Sequence, residues 1–245
     1  QTIKIPSGEI TNAPFLLAVA RAVARVVMST GMSTLAEVEA ALGVLAYGFV
    51  EAAAAIPRSG EFEQAFSSDA GQEALRNRVT LLHCTTEYPA PFSEVNLRAM
   101  DTMAEAFGLP VGYSDHTMGI HISLVAVARG ARVIEKHLTI DRTLTGPDHK
   151  ASLEPEELRQ LVRQIREVEL ALGRGLKYPT VSERKNRAVA RKSLVAARAV
   201  RAGELFTEDN LTSKRPGTGV SPFAYWQTLG QAARRDYNPD EALDA

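Results

Sequence analysis

Short apolar runs alternate with segments of helical period through the first two thirds of the chain. Residues 2–5 (TIKI), 24–29 (ARVVMS), 79–84 (VTLLHC), 109–114 (LPVGYS) and 131–137 (ARVIEKH) are brief, apolar and rich in β-branched residues, which predicts five strands. Residues 13–25, 34–45, 93–107 and the run IHISLVAVARGA read as helices between them. Ser33 is placed to cap the second of these, with Glu37 near its positive end. Residues 46–78 break the rhythm and predict a helical, partly mobile insertion. Strands alternating with helices imply a parallel α/β architecture.

Residues 155–172 form the clearest helix. Pro155 suits its first turn, Leu158, Leu161, Val162, Ile165, Val168 and Leu172 recur at helical spacing, and Gly173 and Gly175 end it. Three regions follow: a parallel α/β domain over residues 1–176, an exposed linker over 177–187 with Pro179 and a dense charge run, and a small β-rich domain over 188–245. The last has turns at Ala202-Gly203 and Pro216-Gly217 and a candidate one-turn helix at 208–211. Five strands are too few for a closed eight-stranded barrel. They fit an open sheet, or the last five strands of a barrel whose first three are absent. The chain starts in a strand without an initiator methionine, so a fragment is expected.

Composition narrows the classes. With 245 residues, 45% of them hydrophobic, a sizeable core can be buried. The formal net charge of −1 offers no basic excess to neutralise phosphates, which argues against nucleic acid as a partner. The one cysteine, Cys84, sits in an apolar run and reads as a buried reduced thiol, which fits a cytoplasmic protein. The longest apolar stretch, residues 43–56, is interrupted by Tyr47, Gly48 and Glu51, and there is no signal peptide, so no membrane partner is expected.

His116 and His137 carry the chemistry. Each falls just after a predicted strand, 21 residues apart, which leaves room for one crossover helix. Strand alternation puts Gly112, Ser114 and His116 on one face, and Val133, Glu135 and His137 on one face of the next strand, with Lys136 pointing away. Ligands of parallel sheets gather at carboxyl ends of strands. Two imidazoles there suit a divalent Mn, Zn or Fe ion whose remaining ligands are water or substrate, or else they are two hydrogen-bonded histidines.

The segments KIPSGEITN, STGMST, LLHCTTEYPAP, GYSDHTMGI, EKHLTID, GPDHKASLEP and KRPGTG occur in this order and closely resemble the N-acetylneuraminate (sialic acid) synthase family. The resemblance implies a (β/α)8 TIM-type barrel, here about its last five units, joined to a C-terminal SAF (antifreeze-like) domain. It implies condensation of phosphoenolpyruvate with N-acetylmannosamine or another N-acylated hexosamine to a nine-carbon 2-keto acid, with release of phosphate. The implied cofactor is a divalent metal, Mn2+ first and Mg2+ or Co2+ as alternatives. The implied assembly is a domain-swapped homodimer.

By the same resemblance His116 and His137 are the metal ligands, and Lys4, Ser7, Ser29 and Ser114 hold the phosphate and carboxylate of phosphoenolpyruvate. Glu9 and Asp148 match carboxylates that bind sugar hydroxyls or move protons, although each could instead cap a turn. Tyr88, just before Pro89, matches an active-site tyrosine or is a packing residue. Arg215 matches the small-domain arginine that reaches a neighbouring subunit's site. Thr86 stands where some members have a ligand-contacting asparagine, and nothing matches the glutamate and basic residue of the family's first three strands.

Two other readings remain open: a Schiff-base aldolase through Lys136, disfavoured by that residue's phase, and a non-catalytic sugar-binding or assembly fragment. GPDHKASLEP is closer to the sialic and legionaminic branches than to the pseudaminic one.

Overall fold

The computed structural model describes residues 1–51 and 56–244. The chain divides into two compact units, Gln1–Arg174 and Gly175–Ala245.

In the first unit five strands form one parallel sheet in chain order: β1 (Thr2–Ile5), β2 (Arg25–Ser29), β3 (Val79–Cys84), β4 (Val111–Asp115) and β5 (Ile134–Lys136). The helices are α1 (Ala13–Ala22), α2 (Leu35–Val50), α3 (Glu61–Ser67), α4 (Asp69–Arg78), α5 (Ala99–Phe107), α6 (His121–Ala128) and α7 (Pro155–Leu172). All five predicted strands are present.

Several boundaries differ from the sequence reading for local reasons. α1 stops at Ala22 because Val23 is already extended, feeding β2. Thr34, not Ser33, caps α2: its hydroxyl accepts from the Glu37 amide while Glu37 reaches back to the Thr34 amide, a capping box. α2 does not end at residue 45 but runs to Val50, and residues 61–78 form α3 and α4, both packed on α2. Residues 52–55 of the expected insertion lie outside the described residues. Residues 93–107 are not one helix but a short 3-10 turn, Phe92–Glu94, followed by α5. On α7 the expected apolar face is only partly covered: Leu161 is buried, whereas Val162 and Leu172 are about half exposed.

The core lies on one side of the sheet. Ile5, Val26, Met28, Val79, Leu81, Val111 and Tyr113 face the helices and pack with Leu16, Leu42, Leu45, Leu75 and Met103. α2 is the centre of this layer, with residues 41–48 all buried.

In the second unit the segment read as a linker carries α8 (Val181–Ala190), started by a capping box between Thr180 and Glu183, and its residues are exposed. Strands β6 (Ser193–Ala196) and β7 (Leu211–Lys214) pair antiparallel over a core of Leu194, Val200, Phe206, Tyr237 and Leu243. Residues 208–210 make a hydrogen-bonded turn that leads directly into β7, in place of the expected one-turn helix. A last short helix, α9, spans Tyr225–Thr228.

Candidate active site

Side chains alternate along each strand, so the residues between the core positions point to the opposite face of the sheet. Register aligns Lys4 with Val27, Ser29 with Leu82, Cys84 with Ser114, and Ser114 with Glu135. If the sheet were flat, β1 and β5 would lie four spacings of about 4.8 Å apart, too far for Lys4 and Glu135 to meet. Yet Lys4 Nζ is 3.2 Å from Glu135 Oε1. The sheet therefore curls, as a barrel segment does, and these residues line its concave side.

Two glycines permit the close approach there. A Cβ on Gly112 would lie 2.4 Å from the Val133 carbonyl, and one on Gly31 would lie 2.3 Å from Thr86 Oγ1 and 2.7 Å from Ser7 Oγ.

A chain of polar contacts crosses the carboxyl ends of the strands. Glu135 Oε1 takes the Lys4 ammonium and accepts from Ser114 Oγ at 2.6 Å. Ser114 Oγ lies 3.3 Å from His116 Nε2, and His116 Nδ1 lies 2.7 Å from the Thr85 carbonyl. A carbonyl only accepts, so Nδ1 carries the proton. Burial pushes the His116 pKa down, against the smaller upward pull of the Thr85 hydrogen bond, so the neutral ring is favoured. The single O–H of Ser114 donates to Glu135. The His116 Nε2 lone pair is thus left facing an oxygen lone pair, an arrangement that a cation would relieve.

The His137 ring stands 5.4 Å from that of His116, nearly perpendicular to it, with Nδ1 3.6 Å from Asp148 Oδ2. The Tyr88 ring packs beside both, tilted, 4.2 Å from His116 and 5.4 Å from His137, and partial burial raises its pKa. Among the described residues no group of three or more His, Cys, Asp or Glu is arranged to hold a metal ion. Two neighbouring imidazoles, one with an Nε2 that meets no donor, fit a divalent cation that keeps positions open for water or substrate.

The structure brings Lys4, Ser114, His116, His137, Tyr88 and Asp148 together. Ser7 is near them: its Oγ accepts from the Gly31 amide at 3.0 Å and lies 3.2 Å from Cys84 Sγ. Ser29 is buried on the same face by register. Thr86 flanks Gly31. Glu9 is not joined to this cluster; its carboxylate accepts from Asn12, whose own side chain caps α1. Arg215 belongs to the second unit, where its Nε donates to the Ala190 carbonyl at 2.9 Å.

Glu135 was missed as a site residue, although its phase with His137 already placed it on the right face. Lys136 lies on the other face, buried against Asp115 at 3.2 Å.

Comparison with known proteins agrees with this architecture. A model described as the NeuB family matches residues 1–177, and one described as the SAF domain matches residues 191–245. An N,N'-diacetyllegionaminic acid synthase of Campylobacter jejuni is 51% identical over 240 residues, covering 98% of this chain and 65% of that protein. One from Legionella pneumophila is 43% identical over 220 residues, covering 90% and 56%. The chain thus spans somewhat less than two thirds of the length of these relatives. Among solved structures, the N-acetylneuraminic acid (sialic acid) synthetase of Leptospira borgpetersenii serovar Hardjo-bovis, in complex with citrate, matches with a TM-score of 0.59 and 34% identity. That match covers 76% of this chain and 55% of the other.

Proposed function

The chain belongs to the NeuB family, and from that membership and the site above we propose that it works as a sialic-acid-type synthase. In this reading phosphoenolpyruvate, an N-acylated hexosamine in its aldehyde form and water yield a nine-carbon 2-keto sugar acid and inorganic phosphate. The bond formed joins the enolpyruvate methylene carbon to the aldehyde carbon. Water adds at the enol carbon, and phosphate leaves from it.

The observation that carries the proposal is the continuous polar line Lys4, Glu135, Ser114, His116 at the carboxyl ends of parallel strands. Lys4 and the hydroxyls of Ser7 and Ser29 supply a cation and donors suited to a trianion, and Ser114 joins them when its hydroxyl turns from Glu135 to the substrate. His116 and His137 would hold a divalent ion, Mn2+ in our reading, which as a Lewis acid would polarise the sugar aldehyde. Asp148, beside His137, and Glu135, between Lys4 and Ser114, are the carboxylates able to move protons in the site. Tyr88 packs on both imidazoles and fixes their ring planes. We assign Glu9 and Arg215 to substrate contacts in the complete assembly, Arg215 from the partner of a domain-swapped dimer.

The names of the two relatives favour an acceptor with two N-acetyl groups. A Schiff-base aldolase is disfavoured, because the Lys136 amine lies buried on the helix side of the sheet. The test is phosphate release from phosphoenolpyruvate with N-acetylmannosamine and with a diacetamido hexose, with and without Mn2+. We expect Mn2+-dependent release, faster with the diacetamido sugar and lost in His116→Ala/His137→Ala. Release that ignores both the metal and the histidines would reject the assignment.

A further inference from the structure

One rung before the two histidines, the sheet contains a buried ion pair on its helix side. Asp115 and Lys136 are register partners of β4 and β5, and their side chains are 0% and 3% exposed. The Asp115 carboxylate is fully engaged. Oδ1 accepts from the Thr117 amide at 2.8 Å and its hydroxyl at 2.7 Å; Oδ2 accepts from Ser123 of α6 at 2.6 Å and meets Lys136 at 3.2 Å. Lys136 also donates to the Thr117 carbonyl. The residues on both sides of His116 are therefore tied to the residue just before His137.

Two further backbone bonds hold the histidines from the outside. The His116 carbonyl accepts from the Ala90 amide at 2.9 Å, and the His137 carbonyl accepts from the Leu153 amide at 2.9 Å. Neither links the two strands to each other. The Asp115–Lys136 rung does so, next to the backbone ladder and the Ser114–Glu135 hydrogen bond one residue earlier.

A buried ion pair is a poor source of stability, because desolvation of both charges offsets their attraction, and apolar replacements often serve as well. What it does provide is direction. A salt bridge with four hydrogen bonds has one geometry, whereas an apolar contact tolerates sliding.

We propose that Asp115 and Lys136 are positioning residues that set the separation and aim of the His116 and His137 imidazoles, and so the affinity of that pair for a divalent cation. The inference rests on the metal-holding role proposed above. It concerns residues that never touch the ion or the substrate.

The test uses Mn2+ itself as the probe, with free Mn2+ counted by its paramagnetic resonance signal, on the whole protein and three variants. Asp115→Asn/Lys136→Met removes both charges together, so no buried charge is left unpaired. Lys136→Met alone leaves Asp115 uncompensated. Leu75→Ala, a core change remote from the site, controls for lost stability alone. The double variant should keep a melting temperature near that of the parent yet bind Mn2+ roughly 10- to 100-fold more weakly, the scale typical of supporting residues around metal ligands. Leu75→Ala should melt earlier with unchanged Mn2+ affinity. Parent-like Mn2+ affinity in a folded double variant would overturn the positioning role and leave the metal reading intact. No Mn2+ binding by the parent would overturn both.

Discussion

Along β4, Val111 and Tyr113 face the helices, whereas Gly112, Ser114 and, one step on, His116 face the concave side. The same contrast runs across the sheet. On the helix side Ile5, Met28 and Leu81 are fully buried among aliphatic neighbours. On the concave side Lys4 and Glu135 pair directly and keep about a third of their side-chain surface exposed. One face stabilises the fold and the other is available for chemistry. Substitutions on the two should therefore separate stability from activity.

The largest effect is expected from His116→Ala/His137→Ala. It should lower the rate of phosphate release by about a thousandfold or more, since a Lewis acid supplies several kcal/mol and each 1.4 kcal/mol is tenfold. Its melting temperature should stay near the parent's. Leu81→Ala, two residues before His83 on the helix side, should do the reverse. Denaturant unfolding should show a loss of about 2–5 kcal/mol, and the folded fraction should bind Mn2+ normally.

Glu135→Gln preserves shape but removes the charge that pairs with Lys4 and accepts the Ser114 hydrogen bond. It should cut kcat/KM about a hundredfold with little change in stability.

The smallest effect concerns pH. His83, on the helix side, has its pKa lowered by burial, against the upward pull of its contact with the Val95 carbonyl at 2.7 Å. The unfolded chain then binds a proton first as pH falls. The contribution of His83 is fully present above about 6.5 and is lost as pH drops toward its folded pKa. In His83→Gln the decline of stability between neutral and acid pH should be shallower. It should not vanish, because His116 is depressed by burial in the same direction.

Much of this contrast was legible in the sequence, because period-two alternation fixes both the strands and their faces. Strand alternation alone puts Ser114 with His116 and Glu135 with His137, and sets Lys136 apart. Helix ends were less legible. Val23 and Thr34 sit where two local preferences compete, and packing on α2 decided residues 46–78. The sequence could not show that the sheet curls far enough for Lys4 to meet Glu135, since that contact spans 131 residues (135 − 4). Nor could it show that Glu9 turns to Asn12, because nothing in a Gly-Glu turn sets the direction of the carboxylate.

In the proposed function the concave face binds phosphoenolpyruvate beside a divalent ion. Calorimetric titration of phosphoenolpyruvate into the protein in Mn2+, beside Lys4→Met and Leu81→Ala, tests it most directly. The account predicts saturable binding that is lost in Lys4→Met and kept in folded Leu81→Ala. Equal binding by the parent and Lys4→Met, or binding abolished only by the helix-side change, would contradict it.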